Sequence, residues 1–139
     1  ECNSLQDMIL GDHVRYIGDY AFSGCTNLVK VVLSPALESI GDYAFDCCSS
    51  LGNLFIPASV SYIGDHAFQG CSQLESVDLP GSLTKIGECA FYGTNITSME
   101  LPASVSAIGY SAFSDNTLHR HCLQVILTAE VSLHYRIFP

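Results

Sequence analysis

The sequence predicts an α/β solenoid: one domain over residues 1–139, built by stacking coils of about 23 residues. The hexapeptide IGDYAF occurs twice, and altered copies of it occur three more times. The five copies start at Ile17, Ile40, Ile63, Ile86 and Ile108. Between the copies, apolar residues recur at the same places. Since each coil buries its apolar face only against its neighbours, function is expected on a repeated surface rather than in one unique pocket.

The first part of each repeat reads L-x-x-V-x-L, as in Leu28, Val31 and Leu33. This spacing predicts a short strand in each coil, and together the strands should form a parallel β-sheet on one face. A proline follows the strand in three repeats and comes one position later in a fourth, at Pro57, Pro80, Pro102 and Pro35. Because proline lacks an N–H group, it marks the end of the strand.

The rest of the repeat, V-x-x-I-G followed by D-Y-A-F-x-G, predicts a second extended piece and then a short helical or 3₁₀ turn. Asp19, Asp42 and Asp65 stand where a helix N-cap is expected. Glycines stand where a left-handed C-terminal residue is expected, at Gly24, Gly70 and Gly93. The phenylalanines should stack as a buried ladder along the array.

Composition and charge exclude several classes of partner. Only five residues are Lys or Arg and the formal net charge is −9, so nucleic acid is not expected to bind. No stretch approaches the roughly 18 apolar residues that a membrane helix needs, so membrane insertion is not expected. No targeting segment is visible, and the chain is interpreted as a piece of a longer array because it enters the repeat part-way.

Four of the seven cysteines recur at one repeat position: Cys2, Cys25, Cys48 and Cys71. Neighbouring coils should hold equivalent Cβ atoms about 4.8 Å apart. A disulfide prefers about 3.5–4.5 Å and converging side chains. Free thiols in a core ladder are therefore expected, with a zinc site as the weaker alternative. The cysteines leave the redox compartment open.

No metal, cofactor or catalytic residue is expected. The acidic column of Asp19, Asp42, Asp65 and Glu88 could bridge calcium, but helix capping explains the aspartates without a ligand. A metal site formed by His119, His121, His134 and Cys122 would lack a convincing further ligand. No nucleophile, phosphate-binding loop or carboxylate pair forms a recognisable motif, so an enzyme is not expected.

The outward positions of the predicted strands are the candidate binding face. One column changes from apolar to acidic along the array: Ile9, Val32, Phe55, Asp78 and Glu100. The neighbouring column contributes Lys30 and Asn53 as further candidates. Solenoids usually bind partners through such a sheet, and an exposed aromatic side chain such as Phe55 can anchor a contact. The alternative is an ordinary solvated sheet.

The repeats extend over about residues 2–118, and residues 119–139 depart from them. In this tail, apolar residues occupy every second position from Val125 to Ile137, which predicts a strand or a C-terminal cap. The N-terminal end shows no cap. Homo-oligomers are therefore possible through the uncapped ends or through the C-terminal strand.

The pattern resembles the BspA-type leucine-rich repeat, whose usual motif is similar to C-x-x-L-x-x-V-x-L-P-x-S-V-x-x-I-G-x-x-A-F. The resemblance covers about Cys2 to Leu118. It implies a right-handed leucine-rich-repeat solenoid on a microbial cell surface or secreted, and no common catalytic site. The function it implies is a non-enzymatic protein-binding or adhesion module whose ligand is a host extracellular matrix or cell-surface protein. The alternative is an intracellular structural or interaction scaffold.

Overall fold

The computed structural model describes Cys2 and residues 4–116, and these residues form a solenoid of parallel strands. The predicted C-terminal strand or cap, residues 119–139, lies outside the described residues, as do His119, His121, Cys122 and His134. The right hand of the superhelix stays a prediction.

Each coil contributes up to two short strands. The first strands of successive coils are β1 (Asp7–Ile9), β3 (Lys30–Val32), β5 (Leu54–Phe55) and β7 (Val77–Asp78). The second strands are β2 (Tyr16–Ile17), β4 (Ser39–Ile40), β6 (Tyr62–Ile63), β8 (Lys85–Ile86) and β9 (Ala107–Ile108). All pairings between these strands are parallel, which confirms the predicted parallel-strand solenoid.

The most continuous sheet is not the one that the sequence favoured. The second strands form one five-stranded sheet in the order β2-β4-β6-β8-β9. The first strands, predicted to form the sheet, pair only as β1–β3 and β5–β7. Strand pairing therefore occupies two faces of the coil rather than one.

The predicted helical turn does not form, and the described residues contain no helix. The segment D-Y-A-F-x-G consists of successive turns. In these turns, amides that donate to the next coil alternate with amides that donate within their own coil. The amides of Tyr20 and Phe22 donate to Asp42 O and Ala44 O in the next coil, at 2.9 and 2.8 Å. The intervening Ala21 amide donates to Gly18 O in its own coil, at 3.3 Å. Tyr20 has a φ of 57°, which a helix does not permit.

The aspartates of this segment do not cap helices. The Oδ1 atom of Asp19 accepts the backbone N–H of Asp42 at 2.8 Å, and Asp42 accepts that of Asp65 at the same distance. Asp65 in turn accepts the N–H of Glu88 at 2.8 Å. The acidic column is thus a ladder of hydrogen bonds between coils. The capping interpretation was wrong because it sought the partner within one coil.

The phenylalanine ladder is confirmed. Neighbouring rings are nearly parallel, with centroids 5.2–5.5 Å apart. The ladder comprises Phe22, Phe45, Phe68, Phe91 and Phe113, and the last four are completely buried. It runs through one core cluster that includes leucine, isoleucine and cysteine side chains of successive coils.

We expect Phe68→Ala to lower the free energy of unfolding by about 3–5 kcal/mol, because it opens a cavity between two stacked rings. Phe55→Ala, at an exposed position, is the matched control and should change it by about 0.5 kcal/mol or less. Urea denaturation measures both. Equal stabilities for the two variants would contradict the ladder.

The glycine of the I-G dipeptide permits the close approach of successive coils. A Cβ atom on Gly64 would lie 2.6 Å from the carbonyl carbon of Gly41 and 2.7 Å from the amide nitrogen of Asp42. These are backbone atoms that cannot rotate away. A Cβ atom on Gly81 would meet nothing within 4 Å.

Gly64→Ala should therefore destabilise the fold by about 1–3 kcal/mol through overpacking. Gly81→Ala should stay within about 0.5 kcal/mol of the parent chain. Thermal unfolding followed by circular dichroism checks the pair. A Gly64→Ala variant as stable as Gly81→Ala would show that the coils do not approach so closely.

Candidate functional site

The first strands expose every second side chain. In β3 the middle residue Val31 is buried, while Lys30 and Val32 on either side of it are exposed. The outer strand face, defined as Ile9, Val32, Phe55, Asp78 and Glu100, lies wholly at exposed positions. The relative exposure is 77% for Ile9, 68% for Phe55 and 41% for Val32. Three apolar side chains thus remain in solvent on consecutive coils.

The register brings most of the outer strand face together. Ile9 pairs with Val32 across β1 and β3, and Phe55 pairs with Asp78 across β5 and β7. Asp78 and Glu100 line one shared groove of about 410 Å³ together with Ser76 and Ser98. The face therefore changes from apolar to acidic along the array.

Phe55 separates two apolar grooves. The larger, of about 410 Å³, lies between Phe55 and the preceding coil and is lined there by Val32, Leu33 and Pro35. The smaller, of about 230 Å³, lies toward the following coil, where Leu79 and Pro80 line it. A partner side chain inserted on either side would contact the Phe55 ring.

The two remaining candidate binding residues, Lys30 and Asn53, do not line these grooves. Lys30 is exposed and pairs in register with Asp7, so it stands beside an acidic residue. Asn53 lines a separate polar groove of about 730 Å³ with Ser49, Ser72 and Glu75. The binding roles of both residues stay predictions.

A group of residues that the sequence did not single out surrounds Glu38, beside the second sheet. The Arg15 Nε donates to Glu38 Oε1 at 2.8 Å, and the Tyr16 hydroxyl donates to Oε2 at 2.8 Å. These hydrogen bonds, with the Arg15 charge, lower the pKa of Glu38. The group is exposed, so it orders the surface of two coils without forming a cavity.

An aromatic stack runs along the turns of the first coils. The rings of Tyr20 and Tyr43 lie 4.7 Å apart, and those of Tyr43 and His66 lie 4.5 Å apart, with interplanar angles of 4° and 8°. The next residue in this column is Cys89. All four have positive φ, between 49° and 57°.

The end of this stack brings together three residues that can ligate metal. One ligand atom from each of His66, Glu88 and Cys89 lies within 4.8 Å of the other two. No metal site was expected from the sequence, in which the candidate ligands were the cysteine ladder, the aspartate column and the histidine-rich tail. The signal for this group is the coincidence of altered residues in two successive hexapeptides, IGDHAF and IGECAF.

The ladder cysteines of the described residues are free thiols. Cys25, Cys48 and Cys71 are buried, as predicted for a core ladder, whereas Cys2 is exposed. The thiols of Cys48 and Cys71 donate to the backbone oxygens of Phe22 and Phe45, at 3.1 and 3.2 Å. Burial raises the pKa of Cys48 to about 12 and raises that of Cys71 well above its usual value. These thiols are core groups rather than nucleophiles.

The comparison with protein families matches the BspA type Leucine rich repeat region to residues 1–119, in six copies. The chain belongs to the BspA-type leucine-rich repeat family. A comparison with curated protein sequences finds no match. In the part of this BspA-type chain that the structure describes, no helix is long and apolar enough to cross a membrane.

Solved structures of bacterial leucine-rich repeat proteins are similar to it. A leucine rich cell surface protein of Faecalibacterium prausnitzii is 31% identical with a TM-score of 0.61, over 85% of this chain and 41% of that one. The T. pallidum leucine-rich repeat protein is 29% identical with a TM-score of 0.63, over 87% and 68%. The pneumococcal vaccine antigen PcpA is 29% identical with a TM-score of 0.73, over 81% and 29%. The chain thus spans only about two fifths of the first relative's length.

The adjacent residues Cys47 and Cys48 test the thiol assignment. Cys47 is exposed and Cys48 is buried. At pH 8 only about one Cys48 thiol in ten thousand is ionised when its pKa is about 12. Although burial and Asp46 also raise the pKa of Cys47, we expect iodoacetamide to label Cys47 at least about tenfold faster. Mass-spectrometric mapping of the shared peptide measures both rates; equal rates would contradict the buried ladder.

Proposed function

We propose that the chain is a non-enzymatic protein-binding module of a microbial cell-surface or secreted protein. Its binding site is the outer strand face, and its ligand is a host extracellular matrix or cell-surface protein. The BspA-type family and the similarity to a leucine rich cell surface protein support the location. The geometry of the outer strand face supports the binding site.

The exposure of Phe55 carries this proposal. A phenylalanine that is 68% exposed, with an apolar groove on each side, leaves a large apolar area in water. Nothing in the stacking of the coils requires it, because Leu54 and Ile56 on either side already supply the buried contacts. Aromatic anchors set among less important contacts are typical of the residues that dominate binding energy.

The charge of the outer strand face specifies the partner further. Asp78 lines the smaller Phe55 groove, and it shares the next groove along the array with Glu100. The chain as a whole carries a formal net charge of −9. A complementary partner would present an apolar side chain to Phe55 and basic side chains to the acidic end. Such complementarity accelerates association and makes its rate depend on salt.

The test compares two exposed aromatic residues on different faces. Phe55→Ala removes the proposed anchor, and Tyr110→Ala, at a residue that is 51% exposed, removes a ring outside the outer strand face. Host-cell extract is passed over the parent chain and both variants, and a captured protein is then titrated against each. We expect Phe55→Ala to weaken binding by about 30-fold or more, the effect of losing about 2 kcal/mol.

Tyr110→Ala should bind as the parent chain does, and all three chains should have the same melting temperature. Equal recovery of every partner by the parent chain and Phe55→Ala would show that the outer strand face is not the binding site. Equal loss in both variants would show that the captured proteins bind exposed aromatic residues nonspecifically.

A further inference from the structure

Three departures from the repeated hexapeptide meet at one place on the turns. His66 replaces the tyrosine of IGDYAF in one coil, and Glu88 and Cys89 replace its aspartate and tyrosine in the next. His66 and Cys89 occupy equivalent positions of neighbouring coils, so stacking brings their side chains together. One ligand atom from each of the three residues lies within 4.8 Å of the other two.

The His66 ring is held by contacts with Tyr43 and Gln69. Its face stacks on Tyr43 with centroids 4.5 Å apart. Its Nδ1 lies 2.6 Å from Gln69 Oε1, and the Gln69 amide nitrogen donates to Asp46 Oδ1 at 3.4 Å. Because the Asp46 carboxylate only accepts, the Gln69 oxygen faces the ring and Nδ1 carries the hydrogen. The lone pair is then on Nε2.

This arrangement is the one that histidine ligands usually have. A metal-binding histidine typically donates its second ring N–H to an outer acceptor, which fixes the tautomer and the direction of the ring. Gln69 supplies that acceptor, and Asp46 in turn orients Gln69.

Glu88 does not form the hydrogen bond between coils that the aspartates at the same repeat position form. Asp19, Asp42 and Asp65 each use a carboxylate oxygen to accept an amide of the next coil. In the described part of the chain, no such bond joins the Glu88 carboxylate to Tyr110. The Glu88 side chain is one methylene longer, exposed and close to Cys89 and His66.

The donor set selects the ion. Calcium and magnesium prefer oxygen ligands, whereas a nitrogen, a thiolate and a carboxylate together suit zinc. Zinc holds nitrogen and sulfur at about 2.0 and 2.3 Å in a tetrahedral site, which places the two ligand atoms about 3.5 Å apart. Because the ligand atoms lie within 4.8 Å of one another, they have to approach by up to about 1.3 Å. Rotation of the exposed Glu88 side chain and a small movement of the half-buried Cys89 supply this.

We propose that His66, Glu88 and Cys89 bind one Zn²⁺ ion at the junction of two coils. Zn²⁺ in proteins is usually four-coordinate, which leaves one position for water or for a group of a bound partner. The site lies on the turns and includes no residue of the outer strand face. The zinc site is therefore independent of the proposed binding function, and a test of one does not decide the other.

The experiment uses the full chain, reduced and freed of metal with a chelator. Zn²⁺ is titrated by calorimetry, and Co²⁺ is titrated as an optical probe of a thiolate ligand. We expect one ion per chain, a thiolate-to-cobalt absorption band, and a melting temperature that rises with Zn²⁺.

The chain itself suggests variants that preserve the fold. His66→Tyr restores the residue found at positions 20 and 43, so the aromatic stack should continue while the ligand is lost. Cys89→Ser removes the thiolate and should abolish the cobalt band. Gln69→Ala removes only the outer acceptor, and it should weaken Zn²⁺ binding by about 10–100-fold. His66→Tyr and Cys89→Ser should weaken it more than that, with melting temperatures of the metal-free variants unchanged.

Two controls separate this site from the other thiols and histidines. Cys47→Ser removes an exposed thiol elsewhere and should leave Zn²⁺ affinity unchanged. A His119→Ala, His121→Ala double variant should do the same. Zn²⁺ binding that survives His66→Tyr and Cys89→Ser but is lost in the double variant would overturn the proposal. So would the absence of Zn²⁺ binding at micromolar concentration.

Discussion

The structure depends on the hydrogen bonds that the backbone of each coil forms with the next. Along the turn segment, every second amide donates to a carbonyl oxygen of the following coil. The N···O distances of these bonds are 2.7–3.1 Å over four successive junctions. An amide buried between coils without a partner would cost free energy, so the register of stacking is strict. The glycine of the I-G dipeptide permits the approach, and the aspartate before the positive-φ residue adds a side-chain bond between coils.

These backbone bonds explain which residues repeat. Once the coils are in register, equivalent side chains face one another, and the phenylalanine rings have to stack because they occupy the same position in every coil. The outward positions face solvent and are free of that requirement. The most exposed large apolar residues of the first strands, Ile9 and Phe55, occupy such positions. The fold and the proposed binding function therefore use different parts of the same repeat.

Much of the core could be predicted because periodicity alone identifies equivalent positions. The phenylalanine ladder, the cysteine ladder and the outward column of Phe55 all follow from counting residues. The turn conformation could not be predicted in this way. Aspartate, alanine and glycine at these places also suit a short helix. The observed turn differs from a helix in the positive φ of Tyr20 and its equivalents and in the amides that donate to the next coil. Tyrosine gives no local indication of that backbone angle.

The group of His66, Glu88 and Cys89 could not be found in the same way. The candidate metal ligands in the sequence were residues of one type at one repeat position or residues of the histidine-rich tail, whereas this group combines three residue types from two adjacent repeat positions. His66 and Cys89 are each unremarkable in their own hexapeptide, and only the stacking of coils makes them neighbours. The stacking of coils likewise places the amide that each aspartate accepts in the following coil.

Native-state hydrogen exchange tests the central role of the bonds between coils most directly. The amides of Tyr43, Phe45 and Cys47 donate to the next coil, whereas the amide of Ala58 lies in an exposed turn. The account predicts that the first three exchange slowly and with a common free energy, because opening one junction breaks them together. Exchange of these amides as fast as that of Ala58 would contradict it.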